Sequence, residues 1–341
     1  MPPKTVKALA PDPTKVTAAE KILGAGAIFL FVSTWIASIF SPFILASSLW
    51  KGQYVRTGGI ILITILAYLP WEKGNLAADA HNVIYGYFPL YFKSLSLEFE
   101  GDELPPEATN NNSPDNNKSK QKHQQTFYAI HPHGAFSFGW ATLFCHLQNV
   151  RFCFAPPLFA SPFFRLFTRI VGKPGSAGKA AMISYMRKGE DLALPPGGFE
   201  EATLTCPGKD RVYIKTRAGF VKLCLQHGIA IRPVYVFGEH GLYWNIQGAW
   251  DFRINTLNKK MGMPAIVTWG HPLVPLLPRN TVDMKIVVGA PIELPKIETP
   301  TKEEVSKWHS KYMTALQKLY EDHKEAAYGS EVAKTSKLEV W

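Results

Sequence analysis

The chain has 341 residues, of which 46% are hydrophobic, and it carries a formal net charge of +10. Such a basic balance is typical of proteins whose partners bear phosphate, namely nucleic acids, anionic lipids or phosphorylated cofactors. Because no Arg-rich helix, zinc finger or RNA-binding signature accompanies the charge, we expect no nucleic-acid partner.

The first quarter of the chain contains the strongest apolar signal. Residues 22–40 carry no charge, and as a helix they would extend about 28 Å, close to the hydrocarbon thickness of a bilayer. Ser41 and Pro42 are expected to interrupt this helix, and a second apolar run follows at residues 58–71. We predict a membrane helical hairpin over residues 22–71, spanning or dipping into one leaflet; a cleaved signal peptide is the alternative.

The flanking charges predict the orientation of this hairpin. Four lysines lie in the polar segment 1–21, which favours a cytosolic N-terminus. A hairpin returns the chain to the same side, so the remaining domain is also expected in the cytosol. The sequons at Asn111 and Asn117 offer a check, since a luminal domain would be glycosylated there.

The four cysteines agree with a cytosolic location. They form no CxxC pair and are too sparse for a disulfide framework, so we expect reduced thiols packed as small apolar groups.

Behind the hairpin, the chain divides into three parts. Residues 72–101 form an interfacial segment, and the Asn-rich residues 102–125 lack apolar periodicity and are predicted to be a disordered insertion. In residues 126–341 strands alternate with helices, which predicts an α/β domain with a central mixed or parallel sheet. Strands are predicted at 126–130, 191–194, 231–237, 265–269 and 284–288, and helices at 179–188, 214–225 and 302–326.

The strongest chemical signal is the motif of residues 131–134, in which His131 and His133 flank Pro132 and are followed by Gly134. Histidine is suited to accept a hydroxyl proton near neutral pH. A helix beginning just after the motif would offer backbone N–H groups to a developing oxyanion. Two satisfied histidines in a turn, or two metal ligands, are the alternatives.

A second signal follows the predicted strand 191–194. Gly197 and Gly198 allow close approach to a ligand, and Glu201 could orient a protonated histidine as the acid of a triad does. An ordinary strand-to-helix turn with glutamates at the helix start is the alternative.

The basic charge is concentrated nearby. Residues 151–222 contain 12 Lys or Arg against 5 Asp or Glu, an excess of 7. Within this stretch Arg217 and Lys222 could pair with coenzyme A phosphates, or they could form the polar face of an amphipathic helix.

Taken in chain order, these motifs resemble the type-2 diacylglycerol acyltransferase family, which also includes monoacylglycerol and wax-alcohol acyltransferases. The matching stretches are Tyr87-Phe88-Pro89, residues 131–134, Phe138-Gly139, Gly197-Gly198 with Glu201, residues 217–220, Pro233, residues 237–239, residues 288–292 and Tyr312-Met313. Two departures exist: the Asn-rich insertion is not typical of the family, and its FLxLxxx motif is only loosely echoed at residues 29–32.

The resemblance implies a glycerolipid-acyltransferase-like α/β domain that esterifies diacylglycerol to triacylglycerol, with acyl-CoA as co-substrate, no other cofactor and no metal. It implies the endoplasmic reticulum membrane and lipid droplets as location, membrane lipids as surroundings, and leaves room for a homo-oligomer. The implied catalytic residues are His133, His131 and Glu201, and the implied substrate-binding residues are Gly134, Gly197, Gly198, Arg217, Lys222, Tyr87, Phe88 and Pro89.

The family is distantly similar to the glycerol-phosphate acyltransferases, and the differences from their motifs indicate the orienting acid and the acceptor. Their motif is His-x4-Asp, but Phe136 and Phe138 occupy the corresponding Asp positions here, so Glu201 is the expected orienting acid of His133. The glycine loop also lacks the Arg that grips a phosphate in those relatives, which favours an uncharged acceptor. We expect His133 to deprotonate the acceptor hydroxyl, which then attacks the thioester without a covalent acyl-enzyme.

Three rival hypotheses remain at this point. The same chemistry could act on monoacylglycerol or a long-chain alcohol. A lipid-binding scaffold without activity could keep the fold, although it has no evident need for both the His and the Glu motifs. A serine hydrolase could use Ser137, which lacks the first glycine of a nucleophile elbow.

Overall fold

The computed structural model describes residues 5–9, 15–70, 75–101 and 124–341. The predicted insertion therefore lies outside the described residues except for its last two positions, and so do both sequons.

The helices are α1 Ala18–Trp50, α2 Tyr54–Tyr68, α3 Asn75–Tyr87, α4 Phe138–His146, α5 Pro156–Ala160, α6 Pro162–Val171, α7 Lys179–Arg187, α8 Gly198–Leu204, α9 Gly219–His227, α10 Trp250–Phe252, α11 Lys259–Met261, α12 Lys302–Tyr328 and α13 Ser330–Thr335. Short 3-10 turns cover Phe88–Tyr91 and Glu239–Gly241, and a π-helical turn covers Arg253–Asn258. The strands are β1 Thr5–Leu9, β2 Ser94–Glu100, β3 Thr126–His131, β4 Arg151–Phe154, β5 Lys173–Ser176, β6 Leu192–Leu194, β7 Asp210–Val212, β8 Ala230–Phe237, β9 Trp244–Asn245, β10 Thr268–Trp269, β11 Asp283–Val288 and β12 Leu338–Val340.

An eight-stranded mixed sheet organises the fold, in the order β1-β2-β11-β8-β3-β6-β4-β5. The central neighbours β8, β3 and β6 run parallel, whereas β1 pairs with β2 and β11 with β8 in antiparallel fashion. This arrangement confirms the predicted α/β class.

Helices cover both faces of this sheet. One apolar cluster joins α1, α4 and α6 to the sheet, and the other joins α7, α9 and α12 to its opposite face. The central strands are therefore covered on both faces, and every residue of β3 is buried.

The topology places three motifs at one edge of the sheet. Parallel neighbours end on the same side, and β3 ends at His131, β6 runs into Gly197 and Gly198, and β8 runs into Glu239. Segments that are remote in sequence therefore meet where these three strands end.

The first helix is longer than predicted. Instead of stopping at Ser41-Pro42, α1 continues to Trp50 with Pro42 inside it. Proline removes the N–H that would bond the carbonyl oxygen of Ser38, but the Ser41 hydroxyl lies 3.5 Å from that oxygen and partly replaces the missing donor. A capping box between Thr17 and Glu20 fixes the start of the helix.

Helix α1 is long and apolar enough to cross a membrane, and α2 is a shorter apolar helix. Their outward side chains include Phe43, Trp50 and Val55, all more than 70% exposed. Strands β1 and β2 flank the α1–α3 segment and pair with each other. Because hydrogen-bonded strands lie side by side, the helical segment leaves the sheet and returns to it.

Two predicted elements differ from the structure. The predicted buried strand at 265–269 is only β10, which pairs with β9 outside the main sheet, and its Trp269 is exposed. The predicted helix through Ile214 begins only at Gly219, because the N–H groups of Ile214 and Lys215 donate to the carbonyl oxygen of Trp341. Ile214 is buried, but as part of a loop.

Candidate active site

His133 has the orientation of a general base. Its Nδ1 lies 2.9 Å from the carbonyl oxygen of Gly134, which fixes the proton on Nδ1 and leaves the lone pair on Nε2. No hydrogen bond to Nε2 is found within the part of the chain that the structure describes. Burial lowers the pKa of His133, opposed by the main-chain oxygen of Gly134 and by the charge of Glu201. The imidazole is therefore neutral near pH 7, the form that accepts a proton.

His131 lies deeper than His133 and is paired with an acid. Its ring is fully buried, and Nδ1 lies 2.9 and 3.0 Å from the two carboxylate oxygens of Glu201. Nε2 of His131 is also buried and finds no hydrogen-bond partner among the described residues. The pair has the carboxylate–imidazole contact of a triad, but without access to the surface.

Glu201 therefore acts differently from the expectation. It was expected to orient the imidazole of His133, yet its side chain bonds the ring of His131 and accepts the backbone N–H of His133 at 2.7 Å. It also accepts the backbone N–H of Tyr213 at 2.7 Å. This one buried carboxylate thus joins the ends of β3 and β6 to the loop after β7, and it reaches the His133 ring only through the main chain and through its charge.

The two glycines of the second motif have distinct roles. A Cβ atom at Gly197 would lie 2.1 Å from a carboxylate oxygen of Glu201, so this position must stay bare for the glutamate to reach the histidines. Gly198 has φ +59°, a left-handed conformation that favours glycine, and a Cβ atom there would make only an ordinary contact, 3.7 Å from a carboxylate oxygen of Glu200. The sequence predicted close approach of a ligand here; at Gly197 the close neighbour is the protein's own acid.

The start of α4 is not free to bind an oxyanion, contrary to the expectation. The backbone N–H groups of Phe138 and Gly139 donate to the carboxylate of Glu239, at 3.0 and 2.8 Å. By contrast, the N–H groups of Gly134, Ala135 and residue 136 have no hydrogen-bond acceptor in the described residues. The available oxyanion donors are therefore in the turn between the His motif and α4.

Ser137 ends this turn with φ +56°, a left-handed conformation that is uncommon for serine. Its hydroxyl donates to the carbonyl oxygen of His133 at 2.6 Å and lies 3.1 Å from His133 Nδ1. Since Nδ1 carries its own proton, it does not withdraw the proton of the serine. The contact between Ser137 and His133 therefore stabilises the turn.

The two basic residues predicted to bind coenzyme A differ in placement. Arg217 forms an ion pair with Glu200 and packs over the Tyr213 ring, so it lies beside the glycine loop, and its Nε is buried without a partner in the described region. Lys222 is exposed on α9, and no ion pair or hydrogen bond ties it to the site within the described residues.

The Tyr87-Phe88-Pro89 motif packs rather than opening onto the site. Phe88 and Pro89 are buried, and Phe88 lies between Phe31 of α1 and Phe138 of α4, with ring centroids 6.2 and 6.1 Å away. Helix α1 also contacts the turn itself, through Trp35 and Phe136, whose ring centroids are 5.9 Å apart. The apolar helix that can enter a bilayer thus borders the segment that carries His133.

Tyr312 on α12 was singled out in the sequence only as part of a stretch that matches the family. It is fully buried 6.3 Å from the His131 ring, and its hydroxyl has no partner in the described region. Burial, together with the charge of Glu201, raises its pKa well above the usual value. Neither Tyr312 nor Glu239 carries a local sequence signal for its position in the fold; only the matching family motifs include them.

In the described residues no group of three or more His, Cys, Asp or Glu side chains is placed to hold a metal ion.

Several known proteins are similar to this chain in sequence. A family described as diacylglycerol acyltransferase matches residues 115–340. Human 2-acylglycerol O-acyltransferase 3 is 37% identical over 154 residues, 42% of this chain and 45% of that protein. Human acyl-CoA wax alcohol acyltransferase 2 is 29% identical over 239 residues, 62% of this chain and 68% of that protein.

Human diacylglycerol O-acyltransferase 2 is 34% identical over 157 residues, 42% of this chain and 39% of that protein. This chain therefore spans less than half the length of two of these relatives and about two thirds of the third. A solved structure, the 1-acyl-sn-glycerophosphate acyltransferase of Thermotoga maritima, covers 85% of this chain and 97% of its own at 11% identity and a TM-score of 0.39.

Proposed function

The chain belongs to the diacylglycerol acyltransferase family, and from this premise we propose that it transfers a fatty acyl group from acyl-CoA to the free hydroxyl of diacylglycerol. The relatives that it matches are named for acting on acylglycerols and on wax alcohols. Monoacylglycerol and a long-chain alcohol are therefore the alternative acceptors of the same reaction.

The observation that carries the proposal is the state of His133. A neutral imidazole with its Nδ1 proton held by a main-chain oxygen presents Nε2 as a base. In the proposed reaction Nε2 takes the proton of the acceptor hydroxyl while the hydroxyl oxygen attacks the thioester carbonyl. The nearby carboxylate of Glu201 favours the imidazolium that forms. The coenzyme A thiolate then leaves and receives that proton.

The turn after His133 is the proposed oxyanion site. The attack places a negative charge on the carbonyl oxygen, and the N–H groups of residues 134–136, which directly follow His133 and are unoccupied among the described residues, are the main-chain donors proposed to meet it. Gly134 is in a left-handed conformation there, with φ +65°.

Charge favours a neutral acceptor. Glu200 and Glu201 flank the glycine loop, and Arg217 neutralises one of these two carboxylates. An acceptor bearing phosphate would meet the remaining negative charge, whereas the hydroxyl of a neutral glycerolipid would not.

The membrane segment supports a lipid acceptor of this kind. Helix α1 contacts the turn through Trp35 and Phe136, so an apolar acceptor could pass from the bilayer to the site without crossing water. We place the enzyme at the endoplasmic reticulum membrane, with β1 and the catalytic domain on the cytosolic side.

A serine hydrolase is the second candidate, because Ser137 Oγ lies 3.1 Å from His133 Nδ1. The hydroxyl proton is already donated to the carbonyl oxygen of His133, and Ser137 is buried. Labelling by a fluorophosphonate would favour this candidate over acyl transfer.

The test is a microsomal assay with labelled acyl-CoA and three acceptors offered in parallel, namely diacylglycerol, monoacylglycerol and a fatty alcohol. We expect labelled triacylglycerol from the wild type and a loss of about 100-fold or more in His133→Ala. His227→Ala is the matched control and should stay active, because His227 lies at the end of α9 and its ring bonds, among the described residues, to the carbonyl oxygen of Leu223. No transfer to any acceptor by expressed wild type would refute the function; activity in His133→Ala would refute the base.

His131→Ala separates the two histidines. Because His131 is fully buried on Glu201, its loss should lower the melting temperature more than His133→Ala does, whereas His133→Ala should remove activity in the protein that remains folded.

A further inference from the structure

Glu239 is a buried charge to which the proposed mechanism assigns no role. Glu239 is 2% exposed, and its carboxylate makes no ion pair with a Lys or Arg side chain in the described residues. The partners of the carboxylate are two main-chain N–H groups at the start of α4. Burying a carboxylate without a cation is costly, so this choice of residue needs a physical reason.

The carboxylate touches both ends of the turn that follows His133. At one end it accepts the N–H groups of Phe138 and Gly139. At the other, a Cβ atom added to Gly134 would lie 2.3 Å from Oε1 of Glu239, so the carboxylate lies directly against the Gly134 backbone. One side chain from the end of β8 therefore holds the whole turn.

The turn needs such an external support. Two of its residues, Gly134 and Ser137, have positive φ, and for serine this conformation is strained. Ser137 occupies the N-cap position of α4 but does not cap the helix, because its hydroxyl is used on the carbonyl oxygen of His133. The helix N–H groups are consequently left to Glu239.

We propose that Glu239 is a positioning residue for acyl transfer, which fixes the turn so that the N–H groups of residues 134–136, and not those of α4, meet the thioester oxygen. The inference rests on the proposed function. Glu239 occupies the helix N–H groups that would otherwise compete for the oxyanion, and it sets the orientation of the N–H groups next to the base.

The test compares Glu239→Gln with the wild type. Glutamine has the same shape, but it offers one oxygen and one NH₂ group, so it can accept from only one of the two helix N–H groups. We expect kcat to fall by about 100-fold, the order of effect of a lost or misplaced oxyanion donor. The KM for acyl-CoA should change by less than about threefold, and Glu239→Asp, which keeps the charge, should recover part of the lost kcat.

The pH profile distinguishes this role from a merely structural one. Burial raises the pKa of Glu239 to about 7, whereas burial lowers that of His133. The wild-type kcat should therefore rise with pH through about 7, and that of Glu239→Gln should be flat there. Of the titratable neighbours, Tyr243 has a raised pKa and stays neutral, and the His240 ring is turned to Asp210.

Glu98→Gln is the matched control. Glu98 is also a buried carboxylate of the same sheet, paired with Lys285, but β11 and β8 separate its strand from β3. It should keep the wild-type kcat per folded molecule. A Glu239→Gln variant with kcat within about threefold of the wild type, or with an unchanged pH profile, would overturn the proposal.

Amide hydrogen exchange separates a failure of this inference from a failure of the proposed function. If the wild type transfers no acyl group, the function fails, but exchange still reports on the turn. Glu239→Gln should exchange about tenfold faster than the wild type in peptides covering residues 134–141. Equal exchange would show that Glu239 does not hold the turn and would overturn the inference whatever the activity.

Discussion

Replacing Glu201 by glutamine tests the central contact of the site. The Glu201 carboxylate is buried and accepts from three donors, namely His131 Nδ1 and the backbone N–H groups of His133 and Tyr213. Glutamine keeps the shape of the side chain but has a single acceptor oxygen, and its NH₂ group must then face at least one of these donors.

The cost can be worked out from these three bonds. A buried N–H left without an acceptor costs about 1–3 kcal/mol, and the loss of a charge-assisted bond to His131 costs about 1.5–3 kcal/mol. The sum, about 2.5–6 kcal/mol, is a large share of the roughly 5–15 kcal/mol that stabilises a typical domain. The melting temperature should therefore fall on the order of 5–10 °C.

Thermal unfolding in detergent can be followed with a thiol-reactive fluorophore, since Cys145, Cys153 and Cys224 are free and buried until the fold opens. Glu200→Gln is the control, because the neighbouring carboxylate is partly exposed and pairs with Arg217 at the surface. It should cost less than about 1 kcal/mol. A Glu201→Gln shift no larger than that of the control would refute the inferred role of Glu201 as the buried support of both histidines.

Three further predictions follow from the described geometry and the sequence. Gly134→Ala and Gly189→Ala both place alanine at positive φ, at +65° and +73°, but only an alanine at position 134 collides with Glu239. Both variants should lose about 1–2 kcal/mol of stability to backbone strain, and Gly134→Ala alone should also lose activity. Equal activity of the two variants would contradict the crowding at position 134. Glu239 should contribute a loss of stability of about 3 kcal/mol as pH rises from about 4.5 to about 7, because its raised pKa means that the folded state holds this proton more tightly than the unfolded state does. Burial lowers the pKa of His133 and that of His146, which raises stability over part of the same range, so thermal unfolding of the wild type is compared with that of Glu239→Gln, and an identical pH dependence in the two would contradict this prediction. A cytosolic catalytic domain should carry no glycans at Asn111 and Asn117, so a glycosidase-sensitive mass shift on a gel would reverse the assigned orientation.

Much of the fold was predictable because its signals are local. The apolar run of α1 and the helical patterns at 179–188 and 302–326 are read from neighbouring residues, and the structure has helices at each. The interruption expected at Pro42 was wrong: α1 continues to Trp50, and the hydroxyl of the neighbouring Ser41 partly replaces the missing N–H. Strand β1 was missed because its five residues precede the apolar helix, and their pairing with β2 depends on a segment about ninety positions later.

By itself the sequence determined the α/β class, the order of the motifs and the residue types that could perform acyl transfer. Only the tertiary structure decided which groups meet: Glu201 with His131 and the backbone of His133, and Glu239 with the start of α4. The physical reason is the order of the strands. Because β8, β3 and β6 are parallel neighbours although they are far apart along the chain, their ends bring together side chains whose contacts no local pattern of residues encodes.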